Sequence, residues 1–350
     1  MHFRVIRRIG LAFLGAGYLL VAVLAGPASA DAAGPTDYNT EVTAIDPAVD
    51  GVVVGIVGGD AFVSIDVDPG VVVEVVGYNA EPFLRIEADG TVRRNELSPT
   101  RWLSEERYGN ETPDIADPLA PPEWVAVGEN GTYLWHDHRA HWMNPNRPPG
   151  AEPGDTILEG AIPIVVDGVN TSVEVRSVLL AGPSAPWLES LLGVMLTGSV
   201  LTLAMRTSDT LVSLVIAAIA ILAGLVGWWA YQSVPSASGP SLVLWAPAAA
   251  AAAGGGVAAW YRQNRPADNI GYICIVAVAC VELAWWAWAR RHGLTRAYIP
   301  TNAPYWLERG VTAAAGTASV GGLLIASARV WTRRSRTGSA GLASRSARVG

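Results

Sequence analysis

Two hydrophobic rhythms divide the chain. From Tyr38 to Tyr78 the apolar residues come in short valine-rich runs, Val52–Val57, Ala61–Val67 and Val71–Val76, broken by Gly, Asp and Pro. Runs of this length between turn residues predict the strands of a sandwich or barrel. Phe83–Glu87 and Thr91–Arg94 flank Asp89-Gly90, and Ile162–Val166 and Val173–Val175 flank Asp167-Gly168. Both read as hairpins, since Asp-Gly suits the left-handed backbone of a tight turn. Residues 112–122 and 144–155, rich in Pro, Asn and Gly, are expected as surface loops.

After Trp187 the rhythm changes to long runs with hardly a charge: Trp187–Met205, Leu211–Tyr231, Leu242–Trp260, Ile270–Ala289 and Gly310–Val330. Each is about long enough to cross ~30 Å of hydrocarbon. The third, mostly alanine and glycine, is the weakest. The amino terminus adds a sixth apolar run, Ile9–Leu24, between Arg4, Arg7 and Arg8 and the small residues Ala28-Ser29-Ala30. That order is the pattern of a secretory signal, cut after Ala30. Arg7-Arg8 admits a twin-arginine signal, but the residues after the pair fit ordinary Sec export better.

The expected organisation is therefore a signal peptide over 1–30, an extracytoplasmic β-rich domain over 31–183, a transmembrane helical domain of about five helices over 187–331, and an arginine-rich cytoplasmic tail over 332–350. With the β domain outside, five crossings leave Arg333, Arg334, Arg336, Arg345 and Arg348 inside, as the positive-inside rule requires. The connection 290–309 is then external although it carries Arg290, Arg291, Arg296 and Arg309. These arginines are expected to sit against the acidic domain or lipid phosphates, unless the cytoplasmic arginines simply outvote them. Trp228, Trp229, Trp285, Trp286 and Trp288 fall at the expected outer interface, where amphipathic indoles belong.

Charge sharpens the division. The 350 residues carry a net charge of −7 and a mean hydropathy of +0.29, yet residues 31–180 hold 26 Asp and Glu against eight Arg. Nothing there is basic enough to hold nucleic acid. There is no lysine, which reads as genome composition. The only cysteines, Cys274 and Cys280, lie in an apolar run, so the β domain has neither a disulfide nor a thiolate ligand. In the expected helices, Glu282 is costly in lipid and often functional, but it also lies within reach of the interface. Met195 and Met205 read first as packing residues.

One segment carries chemistry. Gly131-Thr132-Tyr133-Leu134-Trp135-His136-Asp137-His138-Arg139-Ala140-His141-Trp142-Met143 gathers every histidine of the β domain within six residues. On a strand His136 and His138 share a face, while His141 and Met143 join them only if the strand ends or bends near Arg139. Imidazoles with a thioether suit copper, and histidines with Asp137 would serve zinc equally well. Against metal binding stands a plain structural arrangement: His136, Asp137, His138 and Arg139 as a salt-bridged ladder, with Trp135, Trp142 and Met143 filling core.

Gly131-Thr132-Tyr133, an aromatic, then His136-x-His138 resembles the Gly-Thr-Tyr-x-aromatic-His-x-His strand of cupredoxin domains in multicopper oxidases. The resemblance covers about fifteen residues and implies a cupredoxin-like, all-β Greek-key sandwich with His136 and His138 as copper ligands. With no cysteine and no further His-x-His pairs, blue-copper electron transfer and multicopper oxidation fit poorly. The cupredoxin subunit of copper monooxygenases uses an amino-terminal histidine, where this chain would present Asp31. In layout the chain is similar to periplasmic copper-resistance proteins that join a β-sandwich to a helical membrane domain.

The function expected first is a membrane-anchored extracytoplasmic protein that sequesters copper or delivers it to another copper-handling envelope protein. His136, His138 and His141 would be ligands, Met143 a softer fourth, and Asp137 an orienting group or alternative ligand. An envelope scaffold with a structural histidine strand, or a metal-dependent envelope enzyme, are the other expectations. The enzyme reading stands behind them because no phosphate loop or nucleophile elbow occurs.

Overall fold

The computed structural model describes residues 33–105, 107–109, 111–234 and 241–346. The expected signal sequence and its cleavage site lie outside these residues. So does Arg348.

Among the described residues ten strands form two antiparallel sheets. β1 (Tyr38–Asp46), β4 (Val73–Val76), β5 (Pro82–Ile86), β6 (Val92–Asn95), β7 (Trp124–Gly128), β9 (Thr156–Val166) and β10 (Val169–Leu179) make the larger one, in the order β1-β10-β9-β4-β5-β6-β7. β2 (Val52–Val57), β3 (Phe62–Val67) and β8 (Thr132–Trp135) make the smaller, in the order β2-β3-β8. The result is a sandwich-like domain. Alternation decides which side chains meet: Ile65 and Val67, Val73 and Val75, Leu84 and Ile86, Ile162, Ile164 and Val166, and Val173 and Val175 form one core with Trp135. Both expected hairpins form, with Gly90 at φ 81° and Asp167 and Gly168 at φ 48° and 85°. A short helix, α1 (Pro99–Leu103), which the hydrophobic pattern did not announce, is tied to the end of β4 through Tyr78.

The second region is helical: α2 (Pro186–Thr207), α3 (Asp209–Ser233), α4 (Ala246–Asn264), α5 (Asn269–Ala289) and α6 (Tyr305–Ser346). Among the described residues α2, α3, α5 and the Tyr305–Arg329 part of α6 are long and apolar enough to cross a membrane, and the protein is membrane-embedded. α4 is not among those four. Its alanines and glycines instead permit close packing: a Cβ on Gly255 would stand 2.9 Å from that of Ala217 in α3, and one on Gly254 2.9 Å from that of Ala279 in α5. α6 does not stop at the expected tail but remains helical to Ser346.

Polar clasps tie the two ends of the bundle. At one end Asp209 of α3 pairs with Arg262 of α4 at 2.8 Å and with Arg329 of α6. At the other, Arg290 pairs with Glu308, Arg309 bonds Glu189 at 3.1 Å, and the indole of Trp286 donates to the Leu244 carbonyl at 2.7 Å. This second end faces the β domain. There Thr36 and Tyr298 exchange both backbone hydrogen bonds, at 3.1 and 2.9 Å, and Asp37 accepts from Arg296 at 2.7 Å, from Arg147 at 3.2 Å and from the Ala297 N–H at 3.0 Å. Of the four connection arginines, Arg296 thus meets the β domain, while Arg290 and Arg309 are paired with acids of the helices. Met195 and Met205 are exposed on α2.

Candidate functional site

The histidine segment begins with a backbone constraint. Gly131 has φ 71°, and a Cβ there would lie 2.3 Å from the Val67 carbonyl oxygen, so the close approach of this turn to β3 requires glycine. β8 then pairs with β3, setting Trp135 opposite Val63 in the core. The strand stops at Trp135, one residue before the first histidine. This corrects the expectation that His136 and His138 share a strand face.

Past Trp135 the chain turns, closed by the Ala140 N–H on the Asp137 carbonyl at 2.9 Å. The Asp137 carboxylate, fully buried, accepts from the Trp135 indole at 2.9 Å, from the Arg139 N–H at 3.0 Å and from the Arg139 guanidinium at 2.8 Å through both Nε and Nη2. Arg139 also donates to the Val76 carbonyl at 3.1 Å, and Thr40 donates to that of Ala140 at 2.8 Å. Gly160 of β9 lies so close that a Cβ on it would stand 2.1 Å from the Arg139 carbonyl oxygen. The turn is therefore held from β1, β4 and β9 together. The Asp137–Arg139 bridge of the plain structural arrangement is present, in a turn and not on a sheet face.

Because the chain turns, residues of different parity meet. The His138 and His141 rings lie edge to face with centroids 5.5 Å apart. His138 stacks on Tyr78 at 5.4 Å, and its N–H donates to the Tyr78 hydroxyl at 2.9 Å. Tyr78 is itself fixed from α1: its N–H donates to Thr100 Oγ1 at 2.7 Å and its hydroxyl contacts Ser104 at 3.1 Å. His136 is buried against Phe62, ring centroids 4.4 Å apart, with Nδ1 2.5 Å from the Ala61 carbonyl oxygen. His141 is buried with Nδ1 3.3 Å from the Trp142 carbonyl oxygen, and its Nε2 has no hydrogen-bond partner among the described residues. Met143 stands at the surface.

A carbonyl oxygen only accepts, so in both buried histidines the nitrogen facing it is a protonated one. Burial, with the positive charge of Arg107 next in weight, pushes the His141 imidazolium down to about 3, so this ring is neutral at ordinary pH. Arg107 is anchored on the buried Asp60, one Arg107 Nη1–Oδ1 contact measuring 3.0 Å. No spacing in the sequence announces Arg107, Asp60 or Tyr78 as neighbours of the histidines, because each arrives from a separate turn or loop.

The donor types suit copper, with zinc as the alternative. Imidazoles fit either ion as donors, but among the described residues no three His, Cys, Asp or Glu side chains are grouped to hold a metal ion. Asp137 is committed to Arg139 and Trp135. No family model, curated protein or solved structure matches the chain.

Proposed function

We propose that the chain is a membrane-anchored, extracytoplasmic copper-binding protein that sequesters copper or passes it to another envelope protein. The observation that supports this most is the pair of buried histidines whose Nδ1–H groups are turned to backbone carbonyls. Metal-ligating histidines are held in this way by their other nitrogen, which fixes ring orientation and tautomer. His136 and His141 would be the anchored donors and His138 the mobile one, swinging from its stack on Tyr78 as the ion enters. Met143, exposed two residues past His141, would offer a thioether that favours Cu(I) over zinc. Asp137 then acts by holding the turn, not as a ligand. On this reading the β domain is a cupredoxin-like Greek-key sandwich outside the membrane, and α2 to α6 make five crossings that leave the carboxyl terminus inside.

A second reading, an envelope scaffold with structural histidines, is favoured by the interlock of Asp137, Arg139 and Trp135 and by the packing of His136 on Phe62. Titration of the full chain in lipid nanodiscs with Cu(I) and Zn(II), beside His138→Ala and His138→Ala/His141→Ala variants, separates them. The copper reading expects one tight copper per chain, with the double variant weakened beyond the roughly 100-fold that an outer-shell partner contributes. Equal affinity in all three proteins, or no binding at all, leaves the scaffold.

A further inference from the structure

The two ends of the helical bundle are charged differently. At the end that faces the β domain, arginines are matched by acids: Arg290 pairs with Glu308, Arg309 with Glu189 and Arg296 with Asp37. Arg291 lies over the Trp288 ring, 4.1 Å from its centroid. At the opposite end, among the described residues, Arg206, Arg262, Arg265 and Arg329 stand against Asp209 and Asp268 alone. Both acids are already engaged. Asp209 is shared by Arg262 and Arg329, and Asp268 caps α5, accepting from the Gly271 N–H at 2.9 Å and from the Tyr261 hydroxyl at 2.6 Å. Arg206 and Arg265 are exposed, and among the described residues their side chains make no hydrogen bond or ion pair.

The surplus stands at the height where the membrane-crossing segments end. Arg206 is the penultimate residue of α2, Asp209 opens α3, Asn269 opens α5, and Arg329 closes the apolar part of α6. Arg262 reaches the same level through Asp209, three residues before Arg265. This is where a bilayer passes from hydrocarbon to phosphate. Just inside it the surface is apolar. On α2, Leu203, Leu196 and Leu192 share the side of the helix that carries Arg206 and are 66%, 70% and 63% exposed. On α4, Val257 and Trp260, which lead to Arg265, are exposed as well. α6 carries positive charge onward, staying helical to Ser346 and bringing Arg333, Arg334 and Arg336 within seven residues of Arg329.

We propose that this end of the bundle binds anionic phospholipids, with lipid phosphates at Arg206 and Arg265 and acyl chains along the apolar flanks beneath them. A guanidinium presents a fork of N–H donors that matches phosphate oxygens bidentately, and it stays charged at every physiological pH. Zwitterionic lipids bring a cation of their own, which the surplus positive charge repels, so selection falls on headgroups with net negative charge. Arg262 and Arg329 stay on Asp209, where two cations around one carboxylate leave one unit of positive charge and hold three helix ends together. The soluble source of the same chemistry, free phosphate, would have no use for the exposed leucines. The inference is independent of what the β domain binds.

Native mass spectrometry of the full chain in detergent micelles holding equal amounts of phosphatidylglycerol and phosphatidylcholine tests this. A preference for phosphatidylglycerol of at least about fivefold is expected, the effect of one arginine at an anionic membrane surface. Arg206→Gln/Arg265→Gln should abolish the preference while keeping the thermal midpoint of the native chain, since neither side chain has a partner to lose. Arg291→Gln, at the other end of the bundle, should leave the preference intact. Equal occupancy by the two lipids in the native chain overturns the proposal, as does a preference lost equally in Arg291→Gln, which would mark an effect of overall charge. A preference that survives the double variant and disappears in Arg333→Gln/Arg334→Gln/Arg336→Gln moves recognition to the end of α6 and overturns the site at Arg206 and Arg265. Complete displacement of phosphatidylglycerol by excess inorganic phosphate also overturns it, in favour of a soluble anion.

Discussion

The burial of His141 makes a quantitative claim about acid stability. In the folded protein its imidazolium is pushed down to about 3, whereas the unfolded chain takes up the proton near 6.5. Between these values the unfolded state binds one proton more than the folded state, so stability from this group is complete above pH 6.5 and is lost as pH falls toward 3. The slope approaches about 1.4 kcal/mol per pH unit, which amounts to roughly 2 kcal/mol at pH 5. Burial raises the Asp60 carboxyl above its ordinary 3.8, so this group works in the opposite sense, adding stability as pH falls. Burial raises the Asp37 carboxyl, but the Ala297 N–H and the Arg296 and Arg147 guanidiniums together hold it below its ordinary 3.8. Its contribution is therefore lost only at lower pH. Pulse proteolysis of the β domain in urea, on the full chain in nanodiscs with a copper chelator present, measures the loss between about pH 7 and pH 5, the upper part of the window that the His141 shift opens. His141→Leu should flatten this interval while native protein loses stability across it. Parallel profiles for the two proteins, or a native profile that stays level across the interval, would refute the account of His141 as a buried neutral ring.

Two further outcomes follow from close contacts within the fold. Gly160→Ala drives a methyl group into the Arg139 carbonyl oxygen, 2.1 Å away, and should cost about 3 kcal/mol or more in the same proteolysis assay, while Gly182→Ala, with nothing within 4 Å, should be neutral. Asp209→Ala leaves Arg262 and Arg329 facing each other without their shared carboxylate, and should destabilise the bundle by about 3 kcal/mol. Thermal unfolding in detergent checks this, a drop in midpoint being expected for Asp209→Ala and not for Leu196→Ala on the exposed face of α2.

The elements easiest to read from sequence are those whose geometry is local. Asp89-Gly90 and Asp167-Gly168 carry their backbone preference in two residues, and the hairpins stand where those pairs sit. The apolar runs of α2, α3, α5 and α6 declare themselves through composition alone. α4 is harder, because its Ala-Gly run serves contacts with Ala217 and Ala279 that lie on other helices. At the site, periodicity misleads: a strand carried through His138 separates His138 from His141, and only the turn at Asp137–Ala140 brings them together. That turn is dictated by Arg139 reaching back to Asp137 and by Gly160 admitting the Arg139 carbonyl, the second being a contact between residues of different elements. Arg107 and Asp60, 47 positions apart, meet by burial and charge, which no local pattern encodes.

The order of strands also sets an order of events. Among the described residues β1 is the first strand made and pairs with β10, the last, Tyr38 facing Leu179. Loop closure over so long a separation is slow compared with forming the β5–β6 and β9–β10 hairpins. Until β10 is delivered, β1 carries an open edge of the kind that invites strand exchange. α2 begins at Pro186, a few residues past the end of β10, so the sheet completes only when the first apolar helix has nearly emerged. Maturation of the β domain and insertion of the bundle are consequently close to simultaneous, and a chain stalled before Leu179 would present an unfinished sheet to whatever machinery handles it.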